Sequence, residues 1–334
     1  MRIDAYTHFI PERYFNKIVE SGHADIGKRV REIPCIHDLD VRRKIVDGFD
    51  DYAQILSYPM PPLEVMTKGD GKLTEEYAKL VNDGFAEICS KYPDQFPGWV
   101  AQAPLIAPDA GVRECERALK NGALGVQIYT NIAGKPLDDP AFEPFFAAMD
   151  KIGKPIWMHP ARPAGRADYA GEPKSKYEIW QVLGWPFETS VAMARLVFSG
   201  LFDKLPKLRI ITHHCGGMIP YFAGRAETLW AQLGSRSTDA EESEVLKRLK
   251  KKPIEYFKMF YGDTVLGGAA APLACGLAFF GAERVVFASD CPFDPEGGPM
   301  FIREGIRSIE ELGLPEGDKR KIYFGNALRL LKLK

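Results

Sequence analysis

The chain has few cysteines and no excess of charge of either sign. Its six cysteines are scattered through 334 residues and none form a CxxC pair, which argues against a disulfide framework and against a cysteine zinc site. The 44 basic and 45 acidic residues leave a formal net charge of −1, so no bulk field attracts nucleic acid or an anionic membrane. We therefore expect neither kind of partner, and the scattered thiols favour the reducing cytoplasm.

Long hydrophobic runs are also lacking. The longest apolar stretch, residues 267–280, is interrupted by Pro272 and is too short to span a bilayer. The N-terminal MRIDAYTHF is strand-like and has no apolar core of the kind that a signal peptide needs. The sequence thus indicates a cytoplasmic globular protein, and its 46% apolar residues suffice for a sizeable core.

What the chain does have is a repeated strand–helix unit. Eight short, mostly apolar runs are typical of strands covered on both faces, and amphipathic stretches lie between most of them. Such alternation implies a parallel sheet, and eight units imply a (β/α)8 TIM barrel. We expect one domain over residues 1–334, with a long insertion after strand one (8–50) and a small helical insertion near 234–257. The predicted strands are residues 2–5, 53–57, 99–103, 125–129, 155–158, 209–212, 259–261 and 284–288. The predicted helices are residues 74–91, 109–120, 140–152, 189–202, 220–233 and 241–251.

Four polar residues follow apolar runs at positions where a barrel gathers its strand ends. They are His8, His159, His214 and Asp290, and the C-terminal ends of barrel strands converge on one mouth. A buried carboxylate such as Asp290 needs a metal, a cation or a proton. Because His213 and His214 are adjacent on a strand, we expect at most one of them to face the mouth.

The same stretches make the chain recognisable. It resembles the amidohydrolase superfamily, in the branch of aminocarboxymuconate-semialdehyde decarboxylase and γ-resorcylate decarboxylase. The matching segments run nearly end to end, and the part from Ala194 to Arg225 is the most specific. They are IDAYTHFIP, DYAQILSYP, GALGVQIYTNIAGKPLDDPAFEPFFAAM, KPIWMHP, ARLVFSGLFDKLPKLRIITHHCGGMIPYFAGR, RVVFASDCPF and FGNALRLL.

This resemblance implies a mononuclear metal site in the barrel mouth. By position in the motifs, His8, His159 and Asp290 match metal ligands of the family. His214 matches the strand-six histidine that acts on bound water or substrate. Arg225 matches an arginine that reaches a neighbouring subunit's site to hold a carboxylate, which implies a homodimer.

The chain departs from the family pattern at Tyr6, where the family has the first histidine of an HxH motif. A phenol with a pKa near ~10 is a poor ligand at neutral pH. The remaining set of two histidines and one carboxylate can hold zinc, the expected ion, or manganese or iron. Alternatively, Tyr6 supplies a hydrogen-bond donor in place of metal binding, and the site holds no metal.

These residues point first to a non-oxidative decarboxylase of an aromatic or unsaturated carboxylic acid. Asp290 would donate the proton, which requires a raised pKa, while His214 would polarise the substrate or act as a base. Tyr6 and Arg225 would bind the substrate. The alternatives are a hydratase or a lactone or amide hydrolase on the same barrel, and an inactive relative that binds a small acid.

Two further groups of residues have an open assignment. Asp263 follows strand seven, where a capping role is the simpler interpretation. Four aromatic residues near strand ends could stack on an aromatic substrate, although core packing explains them as well. These are Tyr129, Trp185, Phe187 and Phe293.

Overall fold

The computed structural model describes residues 1–20, 28 and 30–333. Eight parallel strands form one sheet in which each strand pairs with its neighbour in chain order. We number the strands β1 to β8. They are Arg2–His8, Tyr52–Ser57, Gly98–Gln102, Gly125–Tyr129, Ile156–His159, Ile210–Thr212, Tyr261–Asp263 and Val285–Val286.

Backbone hydrogen bonds close the sheet into a barrel. The Ala5 N–H donates to the Phe287 carbonyl at 2.8 Å, and the His8 N–H donates to the Cys291 carbonyl at 2.8 Å. The first strand therefore lies beside the segment that leaves β8. The expected (β/α)8 barrel is confirmed, and all eight predicted runs contain or overlap an observed strand.

Helices cover the outside of the barrel, and their amphipathic patterns explain why. The predicted helix 189–202 begins earlier, at Gly184, and stops at Phe198, because Gly200 adopts a φ of 75° that ends a right-handed helix. The α-helices are Glu12–Glu20, Leu39–Asp47, Leu63–Met66, Gly71–Lys91, Pro108–Lys120, Glu143–Ile152, Ile179–Val182, Gly184–Phe198, Leu201–Lys204, Ala223–Trp230, Ala240–Arg248, Pro253–Phe257, Ala270–Phe280, Pro299–Glu311, Glu316–Arg320 and Asn326–Leu331. Shorter 3-10 and π turns are Pro34–Ile36, Pro140–Phe142, His214–Gly216, Ala282–Arg284 and Lys321–Gly325, and a two-stranded hairpin joins Asn131–Ile132 to Lys135–Pro136.

Both predicted insertions carry helices. The connection after β1 contains Glu12–Glu20 and Leu39–Asp47, and the later insertion contains Ala240–Arg248 and Pro253–Phe257. The polar sequence of residues 8–50 predicts surface positions for His23 and His37. His37 is instead half-buried and stacks on Phe15 at 3.9 Å between ring centroids, whereas His23 lies outside the described residues. No helix in the described part of the chain is both long and apolar enough to cross a membrane.

Two layers of apolar side chains fix the strands. A large cluster packs between strands and helices, and a smaller one fills the barrel interior, where Trp157 is fully buried and donates its indole N–H to the Ala5 carbonyl at 3.0 Å. This filled interior leaves the C-terminal ends of the strands as the place for polar chemistry.

Candidate metal and active site

Three buried histidines form the floor of the barrel mouth. His8 ends β1, His159 ends β5 and His213 directly follows β6, and none exposes more than 2% of its surface. Their ring centroids lie 5.0 to 5.9 Å apart. One ring nitrogen from each lies within 4.8 Å of the others. The expected site residues His8 and His159 lie here together with His213, which the sequence analysis did not select.

Each of these imidazoles has its Nδ1 engaged. Nδ1 of His8 lies 3.1 Å from the Ser57 hydroxyl, Nδ1 of His159 lies 2.7 Å from the next residue's carbonyl, and Nδ1 of His213 lies 2.7 Å from the Asp263 carboxylate. Histidines that bind metals are oriented in this way by an acceptor at the other nitrogen. Among the described residues, Nε2 of His8 and Nε2 of His213 are buried without a hydrogen-bond partner, so both nitrogens are open to an ion, which would displace the proton of a charged imidazole.

Asp290 brings a carboxylate to the same place. Its Oδ1 lies 3.1 Å from Nε2 of His8 and 3.4 Å from Nε2 of His213. Although the His8 nitrogen is this close to the carboxylate, it has no hydrogen-bond partner among the described residues. Ligand atoms about 2.1 Å from one ion lie roughly 3.0 to 3.4 Å from each other. The spacing thus fits a divalent metal, and the residues present suit one.

Charge in the cluster is set by burial and by the two carboxylates. Burial lowers the pKa of His8 and lowers that of His159 well below its ordinary value. Burial also acts to lower the pKa of His213, but Asp263 and Asp290 together raise it to about 9. In the metal-free protein His213 therefore carries the proton, and His8 and His159 are neutral donors of lone pairs.

The pKa of Asp290 moves in the direction opposite to our expectation. Burial alone would raise the pKa of Asp290, but the imidazoles of His213 and His8 lower it below the ordinary value. The carboxylate is therefore ionised in the metal-free protein. The expected raised pKa is wrong because two histidines from other strands stabilise the negative charge.

His213 and His214 both belong to the site, contrary to the expectation that at most one faces the mouth. Strand β6 ends at Thr212, and His214 and Cys215 then adopt positive φ values of 53° and 52°. The two imidazole centroids lie 4.1 Å apart, and nitrogens of both lie within 4.8 Å of an Asp290 oxygen. His214 is half-buried, and burial and His213 lower its pKa to about 3, so it is a neutral group beside the open mouth.

Both residues with expected catalytic roles are among the non-glycine residues that have a positive φ. His214 has a φ of 53° and Asp290 a φ of 65°, a left-handed conformation that is unfavourable for residues other than glycine. Such residues are retained where the surrounding structure fixes them, often at functional sites.

Tyr6 lies in the centre of the cluster. Its ring centroid is 4.3 Å from that of His213 and 5.3 Å from that of His8, and its hydroxyl is buried without a hydrogen-bond partner among the described residues. Burial, followed by the nearby Tyr129 and Asp263, raises the pKa of Tyr6 well above its ordinary value. The residue is therefore a neutral phenol with a free O–H.

Aromatic rings line the rim above the histidines. Trp185 lies 5.5 Å from the His159 ring and 6.3 Å from the His214 ring, and Phe293 lies 5.5 Å from the His8 ring. Tyr129 is 5.7 Å from His159 but is buried.

The other expected residues lie elsewhere. Phe187 is 47% exposed, on the helix Gly184–Phe198. Asp263 is the last residue of β7 and supports His213 rather than only capping the chain. Arg225 is exposed on the helix Ala223–Trp230.

Comparison with known proteins identifies the family that shares this arrangement. Residues 3–333 match the family described as Amidohydrolase. The chain belongs to the amidohydrolase family.

Its relatives within this family are decarboxylases. The chain is 28% identical to 2-amino-3-carboxymuconate-6-semialdehyde decarboxylase of Dictyostelium discoideum, over 100% of this chain and 92% of the relative. It is 31% identical to gamma-resorcylate decarboxylase of Rhizobium sp., over 88% of this chain and 87% of the relative. Among solved structures, dihydroxybenzoic acid decarboxylase of Polaromonas sp., with bound manganese and the inhibitor 2-nitroresorcinol, matches with a TM-score of 0.77 at 26% identity, over 99% and 97% of the two chains. The resemblance read from the motifs is confirmed.

Proposed function

We propose that this amidohydrolase-family protein is a non-oxidative decarboxylase of an aromatic carboxylic acid. The observation that carries the proposal is the convergence of His8, His159 and Asp290 beneath the aromatic side chains of Trp185 and Phe293. Its relatives along the whole chain are decarboxylases. A flat, acidic ring would stack on the rim while its carboxylate reaches the polar floor.

His8, His159 and Asp290 would hold one divalent metal. An ion bound there would act as a Lewis acid toward the carboxylate or a neighbouring hydroxyl of the substrate. Zinc is our expected ion because imidazole-rich ligand sets suit it, and manganese or iron are alternatives. The Polaromonas relative was solved with manganese, so elemental analysis of the purified protein must distinguish these ions.

Asp290 and His214 are the members of the cluster that reach the open mouth. Asp290 has 13% of its side chain exposed, in contrast to the fully buried His8 and His213. Because its carboxylate is ionised, Asp290 must take up a proton before it can donate one: the substrate hydroxyl or water would supply this proton, and Asp290 would pass it to the carbon as the bond to carbon dioxide breaks. His214, a neutral imidazole, polarises the substrate or accepts a proton.

Tyr6 adds a hydrogen-bond donor to this floor. Its buried hydroxyl has no hydrogen-bond partner in the part of the chain that the structure describes, and an unpaired buried O–H costs free energy that a substrate oxygen would recover. We assign Tyr6 to substrate binding.

A dimer would complete the site. Large apolar side chains are exposed on the helix Gly184–Phe198 and just before the helix that carries Arg225, and the Met218 N–H holds these two segments together by donating to the Ser190 hydroxyl at 2.8 Å. Exposed apolar patches of this kind mark interaction surfaces. A homodimer through this face would place Arg225 beside the partner's mouth, where it neutralises the substrate carboxylate. The exposed side chains are Leu183, Phe187, Val191, Tyr221 and Phe222.

Product analysis tests the reaction. The protein, loaded with zinc or manganese, is incubated with 2,6-dihydroxybenzoate and related hydroxybenzoates, and carbon dioxide and the product mass are measured. Release of carbon dioxide supports the decarboxylase. A gain of the mass of water identifies the alternative hydratase or hydrolase, and binding without turnover identifies an inactive small-acid-binding relative.

Variants test the residue roles in the same assay. D290A and H214A are expected to abolish turnover while they keep the native circular dichroism spectrum. H37A, which changes a histidine outside the cluster, is the control and is expected to keep turnover. Full turnover in either site variant contradicts the assigned roles.

Subunit mixing tests the shared site. R225A and D290A are each expected to be inactive, and a mixed dimer has one site with both Asp290 and the partner's arginine. Partial recovery of activity on mixing supports the dimer, as does a dimer mass in light scattering that falls to a monomer mass in F187D. A monomeric native protein contradicts it.

A further inference from the structure

We propose that His213 is a metal ligand of this protein and supplies the nitrogen that the first-strand position, occupied by Tyr6, cannot supply. This inference rests on the proposed metal centre. It assigns a fourth ligand to the set formed by His8, His159 and Asp290.

Strand β1 lacks a nitrogen donor that the family pattern places there. The family pattern places a histidine at position 6, and the chain has a tyrosine there. A neutral imidazole offers a lone pair at neutral pH, whereas a phenol keeps its proton up to a pKa near ~10. The substitution therefore removes one nitrogen donor from β1.

The imidazole of His213 lies beside Tyr6. The His213 ring packs on Tyr6 with 4.3 Å between centroids and an interplanar angle of 46°. Its neighbours on the other sides are His159, at 5.0 Å, and His8, at 5.9 Å. An imidazole from β6 thus stands directly beside the position from which an imidazole of β1 is missing.

The carboxylate of Asp263 orients the His213 ring. Asp263 accepts hydrogen bonds from the backbone N–H groups of Cys215, at 2.8 Å, and Val265, at 3.2 Å, so its carboxylate is fixed. Because a carboxylate accepts at its oxygens, we assign to Nδ1 of His213 the proton that it donates to Asp263 at 2.7 Å. A carboxylate–histidine pair of this kind orients metal-binding histidines, and it directs Nε2 of His213 into the cluster.

The other ring nitrogen of His213, Nε2, lies within the cluster. Nε2 of His213 is buried and has no hydrogen-bond partner within residues 1–20, 28 and 30–333, although it lies 3.4 Å from the Asp290 carboxylate. The nitrogens of His8, His159 and His213 lie within 4.8 Å of one another. A buried polar nitrogen without a partner is costly, and a cation that displaces the His213 proton would satisfy the nitrogens of His8, His159 and His213. The Asp290 carboxylate lies 3.1 Å from Nε2 of His8 and 3.4 Å from Nε2 of His213.

Metal affinity, measured apart from turnover, tests the assignment. The native protein, H213N and H214N are stripped with a chelator and titrated with zinc against a chromophoric competitor. We expect H213N to weaken the Kd for zinc by more than about 100-fold, beyond the usual effect of an outer-shell change. H214N is the matched control, since it removes the adjacent imidazole, and we expect less than about a threefold change in Kd.

Two further variants keep the test decisive if H213N folds poorly. D263N leaves His213 in place without its carboxylate partner, and we expect a 10- to 100-fold loss of zinc affinity. In the double variant Y6H/H213N, the histidine returned to β1 is expected to restore the affinity to within about tenfold of the native protein. Circular dichroism and Tm of each metal-free variant report folding.

The outcomes separate this inference from the proposed function. If H213N keeps the native Kd but loses turnover, His213 acts on the substrate, and the ligand assignment is overturned while the decarboxylase stands. If the native protein binds no zinc or manganese at all, the metal centre itself is wrong. Loss of affinity in H213N, with retention in H214N, supports the assignment.

Discussion

Asp4 beneath the site gives a stability prediction with a calculable magnitude. The side chain is fully buried on β1 and accepts hydrogen bonds from the Tyr52 hydroxyl at 2.6 Å and from the Ser289 N–H at 3.0 Å. Burial raises the pKa of Asp4 from 3.8 to about 6, against the opposing effect of these hydrogen bonds. The folded protein therefore pays a desolvation penalty whenever Asp4 is ionised.

The sign and the size follow from proton linkage. Because the folded pKa lies above the unfolded one, the folded state binds more protons between pH 3.8 and about 6, and stability falls as pH rises through this window. A shift of about two pKa units at 1.36 kcal/mol each gives a loss of about 3 kcal/mol. D4N cannot ionise, and its amide oxygen can still accept from Ser289, so it escapes this loss.

Urea unfolding of the metal-free native protein and of D4N, from pH 3.5 to 7.5, measures the effect. The difference in free energy of unfolding between the two proteins is expected to change by about 3 kcal/mol in favour of D4N across this range, and other titrating groups cancel. D94N, which changes an exposed aspartate, is the control. Parallel pH profiles for the native protein and D4N would refute a raised pKa at Asp4.

Three other predictions concern the rim, the floor and the core. W185L is expected to raise the KM for an aromatic acid roughly 5- to 10-fold with a smaller change in kcat, because one aromatic contact is lost; unchanged steady-state kinetics would remove Trp185 from the rim. S57A removes the partner of Nδ1 of His8 and is expected to weaken zinc affinity about 10- to 100-fold in the chelator competition; a native Kd would show that Ser57 does not orient His8. L196A truncates a fully buried side chain and is expected to lower the free energy of unfolding in urea by about 2–5 kcal/mol; a loss below 1 kcal/mol would contradict close packing there.

The barrel could be predicted because each of its strands is identified by a short stretch of sequence. A strand covered on both faces must be apolar along its whole length, so most of the strands stood out as short apolar runs. Strand β7 was placed two residues early, at 259–261 rather than Tyr261–Asp263. Its last residue is a charged aspartate that no apolar pattern includes, and that residue is the partner of His213.

The charge state of the site could not be predicted in the same way. The apolar residues next to Asp290 in the sequence indicate that its carboxyl is buried, and burial alone raises a carboxyl pKa. The opposing effect comes from His8 and His213, which approach the carboxylate from other strands at 3.1 and 3.4 Å. The net direction depends on these distances, and spacing along the chain does not contain them.

His213 is a case to which the rule for adjacent strand residues does not apply. Side chains of adjacent strand residues point to opposite faces, and on that rule one of His213 and His214 had to leave the mouth. The rule holds only while the backbone remains extended, and β6 ends at Thr212. The left-handed conformation of His214 turns the chain so that both imidazoles remain beside Asp290. The Cys-Gly-Gly that follows is the local signal of such a turn, because glycine accepts positive φ at little cost. Paired histidines before a glycine turn at a barrel mouth should therefore both be considered as members of the site, and in this chain we assign metal binding to His213 and substrate chemistry to His214.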